Sequence, residues 1–139
     1  MKIEKLQRKD LASYKALMDT CFDGSNDIAK YEKYDENGAY EIVVAKDGEK
    51  IAGSVTFYKM DLFTFSFQPA IEIFNVAVLP EYREQKLAKQ LMEYVAEWGR
   101  EHGYKSMFLT CLDTAVPAHR LYESVGMKRA SSVKYSMPL

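Results

Sequence analysis

The feature that most constrains this chain lies at its centre, where an apolar strand runs without a linker into a long amphipathic helix. Ile71 to Val78 reads as a strand, and Leu79-Pro80-Glu81 ends it. Apolar residues then fall at Leu87, Leu91, Tyr94, Val95 and Trp98, along one face of a helix. Gly103 follows as the left-handed residue that often closes a helix. A chain built around such a unit is neither all helix nor all strand.

The flanking segments fill in a mixed α/β order. A first strand around Lys2 to Leu6 leads into a helix with Leu11, Tyr14, Leu17, Met18 and Cys21 on one face. Asp23-Gly24-Ser25-Asn26-Asp27 breaks that pattern, and a polar, Tyr-bearing stretch runs to Gly38. Glu41 to Lys46 and Ile51 to Lys59 read as a hairpin about Asp47-Gly48, with a loop near Gln68-Pro69 before the central strand. Beyond the long helix, Ser106 to Leu112 reads as a buried strand. A shorter helix follows with Pro117 in its first turn, Ala118, Leu121, Tyr122 and Val125 inward, and Gly126 just past its end. Val133 to Met137 reads as a last strand. The order βα-βββ-α-β-α-β has no repeat, low-complexity run or linker, so one domain over residues 1–139 is expected.

Composition narrows the partners. With 19 basic and 20 acidic residues the net charge is -1, which gives no global field for nucleic acid or an anionic membrane. The two cysteines, Cys21 and Cys111, form no Cys-x-x-Cys pair, so neither a disulfide framework nor a structural zinc site is expected. No stretch is apolar and long enough to span a bilayer, and the start lacks the run of a signal peptide. A cytoplasmic location is the expectation. Tyr31, Tyr34 and Tyr40, and Phe57, Tyr58, Phe63, Phe65 and Phe67, suit strand core best, with a partly aromatic acceptor pocket as the alternative.

The central junction also has the makings of an anion site. The first turn of a helix leaves about four backbone N–H groups without internal partners, and the helix dipole adds positive potential there. With the helix beginning near Arg83 or Gln85, that turn carries Arg83, Lys86 and Lys89. Cations at a helix N-terminus are unfavourable by roughly 0.3–1 kcal/mol each, a sign that a bound anion reverses. The same charges also suit a solvated face balanced by Glu81 and Glu84.

Two segments carry a family resemblance. Asn75-Val76-Ala77-Val78-Leu79-Pro80-Glu81-Tyr82-Arg83-Glu84-Gln85-Lys86-Leu87-Ala88 resembles the acetyl-CoA motif of the GNAT superfamily of N-acetyltransferases, a strand followed by Arg/Gln-x-x-Gly-x-Gly/Ala. Ala118-His119-Arg120-Leu121-Tyr122-Glu123-Ser124-Val125-Gly126-Met127 is similar to that family's Ala-x-x-Leu-Tyr-x-x-x-Gly-Phe helix. The departures are Lys86 at the first motif glycine, with only Ala88 small, and Ala115 at a frequent Asn. A lysine at 86 costs little in a helical conformation and roughly 1–2 kcal/mol in a left-handed one.

The resemblance implies a central, mostly antiparallel sheet with a splayed parallel strand pair, flanked by helices. It implies acetyl-CoA as cosubstrate, with no metal, and direct transfer to a primary amine of a small molecule or peptide. Cofactor contacts fall on Val76, Ala77, Val78, Arg83, Glu84, Gln85, Lys86, Leu87, Ala88 and Lys89. Val76 takes the role of the strand N–H that polarises the acetyl carbonyl. Many relatives are dimers, so a homodimer is allowed.

Transfer from a thioester to an amine needs the amine deprotonated, the oxyanion stabilised and the thiolate protonated. Strand alternation sets Glu72, Phe74, Val76 and Val78 on one face. A carboxylate on that otherwise apolar face suits a base, direct or through water, while an edge position would turn it to solvent. Tyr122 is the candidate acid, since a phenol of ordinary pKa about 10 can protonate a thiolate of about 8.5; it also suits helix core. His119 reads as exposed, His102 as a helix C-terminal residue and Cys111 as a small core residue; no nucleophile and base pair for a covalent route stands out. Lys86 and Ala115 keep open an alternative, a catalytically impaired acetyl-CoA-binding module. The absence of Gly-x-Gly-x-x-Gly and Gly-x-x-x-x-Gly-Lys-Ser/Thr sets a nucleotide-binding reading aside. Asp19, Asp23, Asp27, Glu32, Asp35 and Glu36 are candidates to attract a cationic acceptor, or are ordinary surface charge.

Overall fold

The computed structural model describes residues 1–22, 26–61 and 68–139. Among these, a sheet of five strands runs in the order β1 (Lys2–Lys5), β2 (Tyr40–Asp47), β3 (Lys50–Met60), β4 (Ala70–Val78) and β5 (Ser106–Phe108). The first four pair antiparallel, and β4 pairs β5 in parallel. The helices are α1 (Leu11–Cys21), α2 (Tyr31–Glu36), α3 (Leu87–Glu101) and α4 (Val116–Ser124). The mixed sheet with a short parallel pair flanked by helices agrees with the expected fold class.

Sheet alternation sorts the core onto two faces. Val43, Ala45, Val55, Phe57, Ile71 and Ile73 pack with Leu87, Leu91, Met92 and Val95 of α3. On the other face Ile42, Val44, Ile51, Ala77 and Leu79 pack with Leu17 and Met18 of α1. Each Val, Leu, Ile, Phe or Met among them contributes on the order of 1.5–3 kcal/mol of transfer free energy when fully buried. Gly53 is required where α3 meets the sheet: a Cβ there would lie 3.1 Å from the Ala77 carbonyl and 3.2 Å from both Leu87 and Leu91. Gly99 is required lower on α3, because a Cβ would come within 2.9 Å of Ile71. Both glycines hold the helix close to β3 and β4.

Some expectations are corrected. The long helix begins at Leu87, not near Arg83 or Gln85, because Pro80–Tyr82 forms a 3-10 turn and Glu84 and Lys86 have positive φ. The strand expected over Ser106 to Leu112 is three residues long. Val133 to Met137 is not a strand, since β5 stops at Phe108 and offers that segment no ladder to join. Cys111, expected to pack as a small core residue, is exposed. The Tyr-bearing stretch contains α2, which carries no continuous apolar stripe to announce it. Phe63, Phe65 and Phe67 lie outside the described residues.

Candidate active site

The site is built on a break in β4. Thr56 pairs with Phe74 and Ser54 with Ala77, so Asn75 and Val76 together face Val55 across the ladder. Such a bulge needs one residue with unusual dihedrals, and Asn75 supplies it with φ 50°. Asparagine is among the few non-glycine residues that enter the left-handed region readily. The extra residue flips the strand's alternation. Ile71 and Ile73 face α3, as do Val76 and Val78, whereas Ala77 faces α1. Glu72 and Phe74 therefore do not share a face with Val76 and Val78, contrary to the unbroken alternation expected from sequence. The motif does not single out Asn75; the signal was an Asn inside a strand of otherwise apolar character.

The same stretch of β4 has an open edge. Its pairing with β5 covers Ala70, Ile71 and Glu72 and goes no further. From Ile73 to Ala77 that edge has no strand partner among the described residues, a template for an extended guest.

At the end of this edge the chain makes a braced turn. Glu81 accepts from the Lys50 ammonium at 2.7 Å, Tyr82 donates to Asp47 at 2.7 Å, and the Leu79 N–H donates to the Ala52 carbonyl at 2.9 Å. Lys50 holds the Glu81 carboxyl below its usual range. Arg83 is exposed and its Nε donates to the Val78 carbonyl at 3.1 Å, while its terminal guanidinium nitrogens have no partner among the described residues.

Glu84 and Lys86 both sit in the left-handed region, at φ 71° and 58°. The first helical hydrogen bond runs from the Gln90 N–H to the Lys86 carbonyl at 3.0 Å. The amides just before it have no helical acceptor, and no side chain caps them. Amides in a turn that mixes left- and right-handed residues, at the positive end of a helix, form an anion-binding concavity. Glu84, Gln85 and Lys86 are exposed there, Leu87 is buried, Ala88 and Lys89 are half-buried, and Lys89 lies 3.8 Å from Glu93. These residues and the strand end thus form one continuous path.

Glu72 is half-buried, and Tyr58 on β3 and Phe108 on β5 lie directly opposite it, one on each side. Its carboxylate has no hydrogen bond or ion pair among the described residues. Tyr122 is half-buried against the α3 face of the core. Burial, and then the neighbouring Cys111, push its phenol above the usual tyrosine range. Its hydroxyl likewise has no hydrogen bond among the described residues. Ala115 is the N-cap of α4 and supplies no side-chain acceptor.

One pairing goes beyond the sequence expectation. Cys111 Sγ lies 3.9 Å from His119 Nε2 and 4.0 Å from Nδ1. His119 Nε2 is also 2.9 Å from the Leu112 carbonyl and 3.1 Å from that of Asp113. Two carbonyls fix Nε2 as the protonated nitrogen, and Nδ1 is too far from the sulfur for an effective base. His102 Nδ1 sits 2.7 Å from the Trp98 carbonyl at the end of α3, as its position in the sequence suggests.

Comparison with known proteins bears on the family and the fold. The model of the acetyltransferase (GNAT) family matches residues 11–127. Human N-acetyltransferase 8B is 31% identical over 86 residues, which is 62% of this chain and 37% of the human protein. The chain thus spans little more than a third of the human relative. An uncharacterized N-acetyltransferase of Archaeoglobus fulgidus is 29% identical over 95% of this chain and 96% of its own. Among solved structures, glucosamine-6-phosphate N-acetyltransferase from Arabidopsis thaliana superposes with a TM-score of 0.83 at 23% identity, covering 99% of this chain and 97% of that one. A putative acetyltransferase from Agrobacterium tumefaciens reaches 0.86 at 16% identity, covering 99% and 100%. At these identities the superpositions speak to fold.

Proposed function

Since this chain belongs to the acetyltransferase (GNAT) family, we propose that residues 1–139 act as one domain that moves an acetyl group from acetyl-CoA directly to a primary amine. The observation that carries the reading is the open edge of β4 ending on a turn of unpaired amides. Acetyl-CoA brings an acetyl thioester on an extended amide-bearing arm that ends in a diphosphate. Val76, Ala77 and Val78 suit that arm as an added strand, and Val76 offers its N–H to the acetyl carbonyl. Arg83, Glu84, Gln85, Lys86, Leu87, Ala88 and Lys89 form the diphosphate cradle, chiefly through backbone N–H.

The chain's own groups account for the protons. Glu72 takes one from the incoming ammonium, directly or through water, and no cation among the described residues pairs with its carboxylate. Tyr122 gives one to the departing sulfur. Its phenol, raised by burial, keeps that proton through the neutral range. Positioning adds to both steps by holding amine and thioester in attack geometry.

A second reading rests on Lys86. A lysine at φ 58° costs roughly 1–2 kcal/mol, and its side chain adds bulk where the diphosphate would approach. That favours weakened binding and, in the limit, a module that holds acetyl-CoA without turnover. Titration calorimetry with acetyl-CoA, followed by free-CoA release across an amine panel, separates the two. Saturable binding with CoA release supports the enzyme; binding without release supports the module. No saturation at millimolar acetyl-CoA contradicts both.

A further inference from the structure

A second concavity lies on the α1 face of the sheet, beside the bulge, with a volume of about 420 Å³. Its walls include Tyr14, Tyr31, Tyr34 and Tyr40, and Asn75 lines the end nearest the break in β4. Tyr31 and Tyr34 pack at 5.3 Å between ring centroids. The volume lies within the ordinary range for small-molecule sites, roughly 300–1,000 Å³. On the floor, Thr56 Oγ1 is buried next to the Tyr14 phenol but makes no hydrogen bond of good geometry among the described residues.

The charge at the mouth is basic. Lys15, Lys30 and Lys33 line it, against Asp27 as the one acidic lining residue among those described. Lys15 is paired with Asp19 at 2.5 Å, and Asp27 keeps its charge while accepting from the Ala29 N–H at 2.9 Å, so Lys30 and Lys33 leave a net positive charge among the described lining residues. The ammonium groups of Lys30 and Lys33 have no ion-pair partner among the described residues. The acidic residues that suggested a cationic acceptor from sequence are placed otherwise. Asp19 is paired, Asp35 lies 3.7 Å from Arg8, neither Asp35 nor Glu36 lines the cavity, and Asp23 and the Glu32 side chain lie outside the described residues.

We infer that the acceptor is a small primary amine that also carries an anionic group, a carboxylate or a phosphate, held at the mouth by Lys30 and Lys33 while its amine reaches the bulge at Asn75. The inference rests on the acetyltransferase reading and names the substrate class of the same site. Polyamines and polycationic amino sugars are disfavoured, because two unpaired ammonium groups stand at the entrance.

The test is steady-state CoA release with three matched amines, 3-aminopropyl phosphate, β-alanine and 1,3-diaminopropane, on the unaltered protein and on the Lys30→Ala, Lys33→Ala double variant. Expected is a preference for one or both anionic amines of at least about tenfold in kcat/KM. The double variant should raise their KM roughly tenfold or more and flatten its dependence on salt, with the KM for acetyl-CoA unchanged. Preference for phosphate over carboxylate, or the reverse, identifies the anionic group. Preference for the diamine, or an anionic-amine KM untouched by the double variant, overturns the inference while leaving the acetyltransferase reading intact. If no amine releases CoA, the acetyltransferase reading fails by itself. Saturable binding of 3-aminopropyl phosphate that the double variant abolishes would then still uphold the anionic site, and its absence would overturn it.

Discussion

The four long-paired strands with α1 and α3 differ sharply from the segment that follows α3. Every apolar residue of the buried core lies at or before Val95, and β2, β3 and β4 have most of their apolar side chains covered on both faces, Phe74 being an exception. After residue 103, no described residue is fully buried, β5 has three residues, and Leu112, Val133 and Met137 are largely exposed, with Tyr135 at 92%. The proposed grip on acetyl-CoA stands on the first region, braced by Lys50, Asp47 and Ala52. The proposed acid, Tyr122, stands in the second and touches the core through its own ring. Core substitutions in the first region should therefore report as stability, and those at Tyr122 as turnover.

The largest expected effect lies in the second region. Tyr122→Phe should lower turnover by about 10²-fold or more, the usual scale for a positioned acid, with acetyl-CoA affinity and unfolding midpoint nearly unchanged. Because the folded phenol is raised, its acid form is present through neutral pH, and activity should fall only as pH climbs past the ordinary tyrosine range. Turnover within about threefold of the parent, measured by CoA release, returns Tyr122 to packing. Glu72→Gln, tested the same way, should lower the rate most at moderate pH with affinity intact, and an unchanged pH–rate profile removes Glu72 from the proton path.

The next effect belongs to the core. Leu91→Ala should cost about 2–5 kcal/mol in urea unfolding, since Leu91 is fully buried between α3 and the sheet. Leu121→Ala on α4, where no residue is fully buried, should cost less than about half as much. Equal losses would erase the contrast between the regions. Lys86→Gly relieves a left-handed lysine and should stabilise by roughly 1 kcal/mol while tightening acetyl-CoA binding in calorimetry. Destabilisation there would show that the Lys86 side chain holds the turn. The smallest effect is Ala115→Asn, which supplies the missing N-cap of α4 and should raise stability by about 0.5–1 kcal/mol. No gain in the thermal midpoint would mean that the first turn of α4 is already satisfied.

How far the sequence speaks follows the same division. The period-2 runs of β2 to β4 and the apolar stripe Leu87, Leu91, Val95 are visible because both are forced by a buried face. The bulge was legible only as an Asn in an apolar strand, since the flip it causes depends on pairing with β3. The left-handed turn at Glu84 and Lys86 was illegible, because neither residue type favours that conformation and the braces from Lys50 and Asp47 come from a distant hairpin. The failed strand at Val133 to Met137 has the right alternation, but a strand exists only with a partner, and periodicity carries no information about one. The charge of the proposed acceptor cavity does not follow from counting acids along the chain, because their local placement and pairing decide what a ligand meets.

Hydrogen exchange of the amides along β4 and the following turn, with and without saturating acetyl-CoA, bears most directly on the central claim. Protection should appear at residues 74–78 and 84–89, where an open strand edge meets unpaired amides, and should be weak around Tyr31 and Tyr34 in the proposed acceptor cavity. Acetyl-CoA that binds yet leaves 74–78 and 84–89 exchanging at their free rates would contradict it.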